Sequence, residues 1–152
     1  MKINIINAFI LILLFSTCAV AQKISLIPLP NKISSAPGKF TISPQTKILA
    51  NGTLALQTAE LFNSWLKQTN GFELPIVSSV MSKDRYIAFS LINDSSEKYI
   101  LKVKRKYVVL EGGAAGLIRG TSTLLQFAYQ SLENKNRIPC LTIYDQPQFS
   151  YR

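Results

Sequence analysis

Residues 99–104 alternate between apolar and mostly basic side chains, and this alternation constrains the fold more than any other feature of the sequence. In a strand the apolar members, Tyr99, Leu101 and Val103, point to one face, and their neighbours point to the other. A second run of β-forming residues at 107–111 follows after a short turn, which predicts a hairpin. Since only one face of this hairpin is apolar, the chain must provide a cover for that face alone.

Two amphipathic helices are predicted that can provide this cover. The first follows the turn Asn51-Gly52, with Thr53 as its N-cap, and stops at Asn70-Gly71. Its stripe recurs at intervals of three and four residues and consists of Leu54, Thr58, Leu61, Phe62, Trp65 and Leu66. The second helix follows the glycine-rich stretch 112–116 and extends to about Leu132.

The remaining strands are predicted from short runs of β-forming residues. Proline and glycine interrupt the chain from 24 to 50, which leaves edge strands at 39–42 and 46–49, and further strands follow at 85–91 and 138–144. The order of strands and helices predicts an α+β fold, in which a single mixed or antiparallel sheet carries two helices packed on one face.

Residues 1–21 have the pattern of a signal peptide. Lys2 supplies a positive start, residues 8–15 are continuously apolar, and Ala19-Val20-Ala21 provides small residues before a cleavage site. The apolar run is shorter than the ~20 residues that span a bilayer. We therefore expect cleavage before Gln22, a secreted or periplasmic product with no membrane segment after cleavage, and one domain over residues 22–152.

The composition excludes several kinds of enzyme site. The chain has no His, so that it contains neither a Ser-His nor a Cys-His nucleophile pair, and no imidazole zinc site. Its eight carboxylates are scattered, and no metal, cofactor or catalytic residue is expected. Removal of the leader takes Cys18 away, which leaves Cys140 as a single thiol and predicts that it is a small buried hydrophobe.

The glycine-rich stretch between strand and helix resembles a phosphate loop only in its position. A P-loop has four residues between its glycines and then Lys-Ser/Thr, whereas Gly116 and Gly120 are separated by three residues and followed by Thr121. The glycines are instead predicted to let the helix start close against the sheet.

Lys102, Lys104, Arg105 and Lys106 form the densest basic cluster in the chain, and such a cluster could bind a polyanion. Base stacking would require aromatic rings on the same face, but Tyr99 and the tyrosine at 107 are predicted to lie on the apolar side. A nucleic-acid partner is therefore not expected. A free-standing secreted module that binds glycans or polyanions remains an open alternative.

Six segments in this order resemble a known family: Ile27-Pro28-Leu29-Pro30, Gly38-Lys39-Phe40, Glu97-Lys98-Tyr99-Ile100-Leu101, Gly116-Leu117-Ile118-Arg119-Gly120-Thr121-Ser122-Thr123-Leu124-Leu125-Gln126, Ile138-Pro139-Cys140 and Asp145-Gln146-Pro147-Gln148-Phe149-Ser150-Tyr151-Arg152. Together they resemble the N-terminal domain of bacterial β-N-acetylhexosaminidases of glycoside hydrolase family 20. In that family an α+β domain packs against a (β/α)8 catalytic barrel, and we expect this chain to stop before that barrel.

The resemblance implies that the parent enzyme hydrolyses terminal non-reducing N-acetylhexosamine residues in β-hexosaminides. It also implies that Arg152 contacts the substrate, since it occupies the place of the family's Tyr-Arg-Gly arginine. The family's catalytic Asp-Glu pair lies in the barrel, and this chain has no Asp-Glu dipeptide. The chain is therefore expected to be a non-catalytic fragment that stops where the barrel starts, with the barrel as its partner.

Overall fold

The computed structural model describes residues 25–146. Seven strands and two α-helices follow one another along the chain: β1 (Lys32–Thr41), β2 (Lys47–Ala50), α1 (Thr53–Asn70), β3 (Ile76–Val77), β4 (Tyr86–Leu91), β5 (Tyr99–Val103), β6 (Tyr107–Gly112), α2 (Ala114–Gln130) and β7 (Arg137–Asp145), with a short 3-10 helix (Leu132–Asn134) before β7. Within this part of the chain, no helix is long and apolar enough to cross a membrane.

All seven strands form one mixed sheet in the order β1-β7-β5-β6-β4-β2-β3. The half that contains β1, β7, β5 and β6 is antiparallel, whereas β6, β4, β2 and β3 pair in parallel. Parallel neighbours need a crossover, and α1 provides one between β2 and the strands that follow it. The predicted α+β class, with one mixed sheet and two helices, is confirmed.

The predicted hairpin forms, and it divides the sheet into two different faces. Leu101 is opposite Leu110, and Val103 is opposite Val108; all four side chains are fully buried towards the helices. Lys102 lies between them and points to the opposite side, which we call the back face. One continuous cluster of buried apolar residues lies between the sheet and the helices, so that the domain has a core of its own.

The first helix has the predicted limits but differs in its cap and its buried side. Gly52, with φ 84°, occupies the N-cap position, and Thr53 is the first helical residue rather than the cap. At the other end Gly71 adopts the left-handed conformation and donates its N–H to the carbonyl of Lys67. Leu61, which the periodicity assigned to the packed stripe, is 58% exposed. The side that packs is formed by Ala55, Thr58, Ala59, Phe62 and Leu66.

Two glycines, Gly116 and Gly120, allow the second helix to approach its neighbours closely, as predicted. A Cβ atom on Gly120 would overlap the side chains of Leu110 and Tyr99 in the sheet. Gly116 instead faces the backbone carbonyl of Lys98, in the loop that leads into β5. The close approach therefore involves this loop as well as the sheet, and larger residues would push the helix outward.

The prediction for the first two strands was wrong in two respects. β1 starts at Lys32, not at 39, because a shift in register between Ser35 and Lys39 accommodates Pro37 and Gly38 within the strand. β2 is not an edge strand, because it pairs with β4 on one side and with the two-residue β3 on the other. The edges of the sheet are β1 and β3.

Candidate functional site

The outward side of the helices carries apolar residues that the sheet does not cover. Ile118, Leu125 and Tyr129 are spaced seven and four residues apart on α2 and therefore share one side of it. Tyr129 is 62% exposed and meets the ring of Trp65 on α1 edge to face, with 6.3 Å between the ring centroids. We call this surface the outer helix face. It comprises the exposed side chains of Ile27, Leu61, Ile118 and Tyr129 together with Trp65 and Leu125, which are partly buried against the core.

A groove of about 360 Å³ runs along this surface, lined by Trp65, Leu125, Tyr129 and Ile27. Ile27 belongs to the segment before β1 and is 80% exposed. Its N–H donates to Oε1 of Gln126, and its carbonyl accepts from Nε2 of the same side chain, each at 2.9 Å. These reciprocal bonds hold the segment on α2, so that its apolar side chains extend the outer helix face.

The described chain ends beside this same segment. The N–H of Asn31 donates to Oδ1 of Asp145 at 3.1 Å, and the N–H of Gln146 donates to Oδ1 of Asn31 at 2.9 Å. The start of β1 and the end of β7 are thus tied together. Whatever follows Gln146 in the chain therefore begins close to the outer helix face. The predicted substrate contact, Arg152, lies outside the described residues.

A cavity of about 330 Å³ lies between Ile27, in the segment before β1, and Asp145 at the end of β7; Arg119, Thr123 and Gln126 also line it. Arg119 forms an ion pair with Glu97 at 2.5 Å. The hydroxyl groups of Tyr99 and Thr123 are 2.8 Å apart.

Burial of the phenol, with a smaller contribution from nearby Asp145, raises the pKa of Tyr99 from 10.0 to about 12. Tyr99 is therefore a neutral hydrogen-bonding group at physiological pH. Within residues 25–146, no three His, Cys, Asp or Glu side chains come together as they would around a metal ion.

The basic cluster of the β5–β6 hairpin divides between the back face, where Lys102 lies, and the tip of the hairpin. Lys102 lies on the back face and pairs with Glu111 at 3.0 Å, and this hydrogen bond raises the pKa of Lys102. The side chain of Arg105 covers Gly38 in β1, where a Cβ would collide with it. Only Lys104 and Lys106 remain as exposed lysines at the tip of the hairpin. Arg105 is exposed between them, so that the tip carries three cations in a row.

The prediction that Tyr107 lies on the apolar side was wrong. Tyr107 is opposite Tyr86 on the back face, and their rings stack with 5.6 Å between centroids and 14° between planes. The alternation in β6 starts one residue out of phase with the assumed pattern, because Val108 is the residue that faces Val103. Cys140 is buried as predicted, and burial raises the pKa of its thiol.

Comparison with known proteins decides the family. The profile of "Glycosyl hydrolase family 20, domain 2" matches residues 23–146, which include all the residues described above. The chain belongs to this family. Its fold and the absence of a barrel from the described residues agree with a domain 2 of this family.

A curated β-hexosaminidase from Vibrio furnissii is 30% identical over 135 residues, and the match covers 87% of this chain but 21% of that protein. An exo-β-N-acetylglucosaminidase from Vibrio harveyi, solved in complex with N-acetylglucosamine, has 27% identity and a TM-score of 0.68, and the match covers 82% of this chain and 19% of that one.

A β-N-acetylhexosaminidase from Bacteroides fragilis has the same fold, with 21% identity and a TM-score of 0.68 over 84% of this chain and 26% of that chain. The family 20 domain therefore spans about a fifth of the curated relative that it matches. In these relatives it is one part of a much longer chain, which makes the outer helix face a candidate contact surface for the rest of the protein.

Proposed function

We propose that this chain is the non-catalytic N-terminal domain of a secreted β-N-acetylhexosaminidase, which supports a catalytic (β/α)8 barrel. The observation that carries the proposal is the family 20 match over residues 23–146, together with relatives several times longer than the match. The parent enzyme would release terminal N-acetylhexosamine residues from β-hexosaminides.

The outer helix face supports a role in domain docking. Monomeric proteins rarely leave a continuous apolar surface uncovered, and such a surface commonly marks a contact with another domain or protein. Here that surface lies beside the point where the chain continues beyond Gln146, since Asn31 ties the end of β7 to the segment that carries Ile27. A barrel that follows directly in the chain could therefore pack against the outer helix face without a long linker.

The non-catalytic role proposed for this domain rests on the carboxylates that its sequence contains. Family 20 hydrolysis needs a Glu that protonates the glycosidic oxygen and an adjacent Asp that holds the substrate's acetamido group. This chain has no Asp-Glu dipeptide, so that its part in the reaction is to position the barrel. Arg152 would add one contact to the sugar, because it matches the arginine of the family's Tyr-Arg-Gly segment.

Hydrolysis of a chromogenic β-N-acetylglucosaminide tests the proposal. The native product that carries this N-terminus should hydrolyse the substrate, and purified residues 22–152 should release no more chromophore than a mock preparation. Activity in the purified fragment would contradict a non-catalytic role. Absence of activity from the native product would contradict the enzyme assignment.

Docking is tested separately in the native product. Replacing both Ile118 and Tyr129 by Ser should lower the temperature at which hydrolysis is lost, because the barrel would lose apolar contacts. Met81→Ser serves as the matched control, since Met81 is equally exposed but lies in the turn before β4. Equal inactivation temperatures for the double variant and the control would show that the barrel does not use this surface.

A further inference from the structure

A cavity lies on the back face of the sheet, where the neighbouring strands β1, β7, β5 and β6 all contribute lining residues. Its volume is about 340 Å³, which lies near the lower limit of the roughly 300–1,000 Å³ found for small-molecule sites. None of the residues of the outer helix face lines it. Asn31, Asp145 and Gln146 are among its lining residues, so that the cavity lies beside the point where the chain continues.

The floor of the cavity is a row of four side chains on four adjacent strands. Lys32 in β1 is opposite Tyr144 in β7, Tyr144 is opposite Ile100 in β5, and Ile100 is opposite Glu111 in β6. Directly opposed residues point to the same face, and neighbouring strands lie about 4.8 Å apart, so that the row extends over roughly 14 Å. This is a shallow, elongated floor rather than a deep hole.

The chemistry of the floor and walls suits a sugar ring. Tyr144 is 45% exposed, the apolar side chain of Ile100 lies directly opposite it, and Ile92 also lines the cavity. A pyranose has C–H groups on its faces and hydroxyl groups around its edge, so that it stacks on an aromatic or aliphatic surface and needs polar partners at the rim. Asp94 and Lys98 also line the cavity, and we call them its polar rim; they provide an acceptor and a donor, although Oδ1 of Asp94 already accepts from the N–H of Ser96 at 2.7 Å.

The charges around the cavity are balanced. The lining contains two lysines, Lys32 and Lys98, and three carboxylates, on Asp94, Glu111 and Asp145. Lys102, which pairs with Glu111, brings the numbers of cations and anions to three each. A site of this kind does not favour an anionic or a cationic ligand over a neutral one.

We propose that this cavity binds a neutral glycan, with one pyranose stacked on Tyr144 and its hydroxyl groups bound by the polar rim. The site differs from the supporting role described above, because it would give the domain a glycan contact of its own on the side away from the helices. Its occupant is a sugar chain, and the binding does not require a barrel.

Titration followed by NMR tests the site. The protein is residues 22–152 with Ile118→Ser and Tyr129→Ser, two changes on the opposite side that reduce self-association. Chitotetraose is the main probe, cellotetraose is a second neutral probe, and a heparin hexasaccharide is the anionic one. A neutral probe should shift the amide signals of Lys32, Ile100, Glu111 and Tyr144 in a saturable manner. The heparin probe should leave these four signals in place.

Variants at Tyr144 distinguish stacking of the sugar on the ring from nonspecific binding. Tyr144→Ala should weaken binding of the neutral probe at least about tenfold, and Tyr144→Phe, which keeps the ring, should retain most of it. Met81→Ala removes an exposed apolar side chain elsewhere and should have no effect.

The proposal is overturned if neither neutral probe shifts these four signals at millimolar concentration, if only heparin does so, or if Tyr144→Ala binds as tightly as the parent. The measurement uses a chain without a barrel, so that its outcome is independent of whether the native product hydrolyses glycosides.

Discussion

The two outer surfaces of the domain are built differently. The back face has polar partners in place: Lys47 pairs with Asp84 at 2.7 Å, Lys102 pairs with Glu111, and the tyrosines at 86 and 107 stack on each other. The outer helix face instead exposes large apolar side chains, including Ile27 and Tyr129. The back face therefore combines paired charges with the partly exposed ring of Tyr144, whereas the outer helix face is mainly apolar. We therefore propose that the rest of the protein packs on the outer helix face.

The largest effect on stability is expected where the helices face the sheet rather than where they face outward. Phe62 is fully buried and contacts Phe89, with 5.8 Å between ring centroids. Phe62→Ala should lower the free energy of unfolding by about 3–5 kcal/mol, measured by urea denaturation. Ile118→Ala, on the outward side of α2, should change it by less than about 0.5 kcal/mol. Comparable losses in the two variants would mean that Ile118 is part of the core.

Alkaline pH should reveal the buried phenol that lies between the two surfaces. The pKa of Tyr99 is raised to about 12 in the folded state, above its value in the unfolded chain. The neutral phenol therefore stabilises the fold fully below pH 10, and this contribution is lost as the pH rises towards 12. Tyr99→Phe should remove this part of the alkaline loss, which urea denaturation at several pH values would detect. An identical alkaline slope in both proteins would contradict a buried phenol.

A smaller effect is expected on the back face. Lys102 and Glu111 are both partly exposed, and such pairs contribute at most about 1 kcal/mol to stability. Lys102→Ala should therefore lower the free energy of unfolding by less than that, and added salt should reduce the difference further. A loss that is large and insensitive to salt would show that this face is more buried than the structure indicates.

The smallest change in stability, but a clear change in surface behaviour, is expected on the outer helix face. Ile118→Ser together with Tyr129→Ser should leave the unfolding free energy of residues 22–152 nearly unchanged. The same pair should reduce binding of an apolar dye and self-association in analytical ultracentrifugation. Met81→Ser, the control away from the helices, should alter neither. If the unchanged domain is monomeric and binds no apolar dye, the outer helix face is not an exposed apolar surface, and the contrast between the two surfaces is wrong.

Sequence patterns predicted those parts of the fold that depend on local alternation and spacing. The hairpin was predictable because Leu101 and Val103 alternate with polar residues, and the end of α1 because Gly71 stops the helix. Periodicity alone did not distinguish Leu61 from Phe62, since adjacent residues on a helix differ by 100° and only the packing decides which one is buried. For Tyr107 the assumed phase was wrong, because strand phase is set by pairing with the neighbouring strand.

The candidate surfaces were less predictable than the fold. The groove at Trp65 and Tyr129 joins two helices that are far apart in sequence, and the row through Lys32, Tyr144 and Glu111 depends on strand order. No local pattern contains that information. The resemblance to family 20 predicted a domain of that family, and the family match confirms it. The barrel-supporting role stays a prediction. The role of Arg152 stays a prediction, because that residue lies outside the described part.

The intact mass of the native secreted product that carries this N-terminus tests the central claim most directly. A domain whose outer helix face supports a hydrolase barrel should be found in a product several times heavier than the 16.9 kDa of this chain. Its mature N-terminus should be Gln22. A native product that ends at Arg152, and therefore has no barrel to cover the outer helix face, would contradict the account.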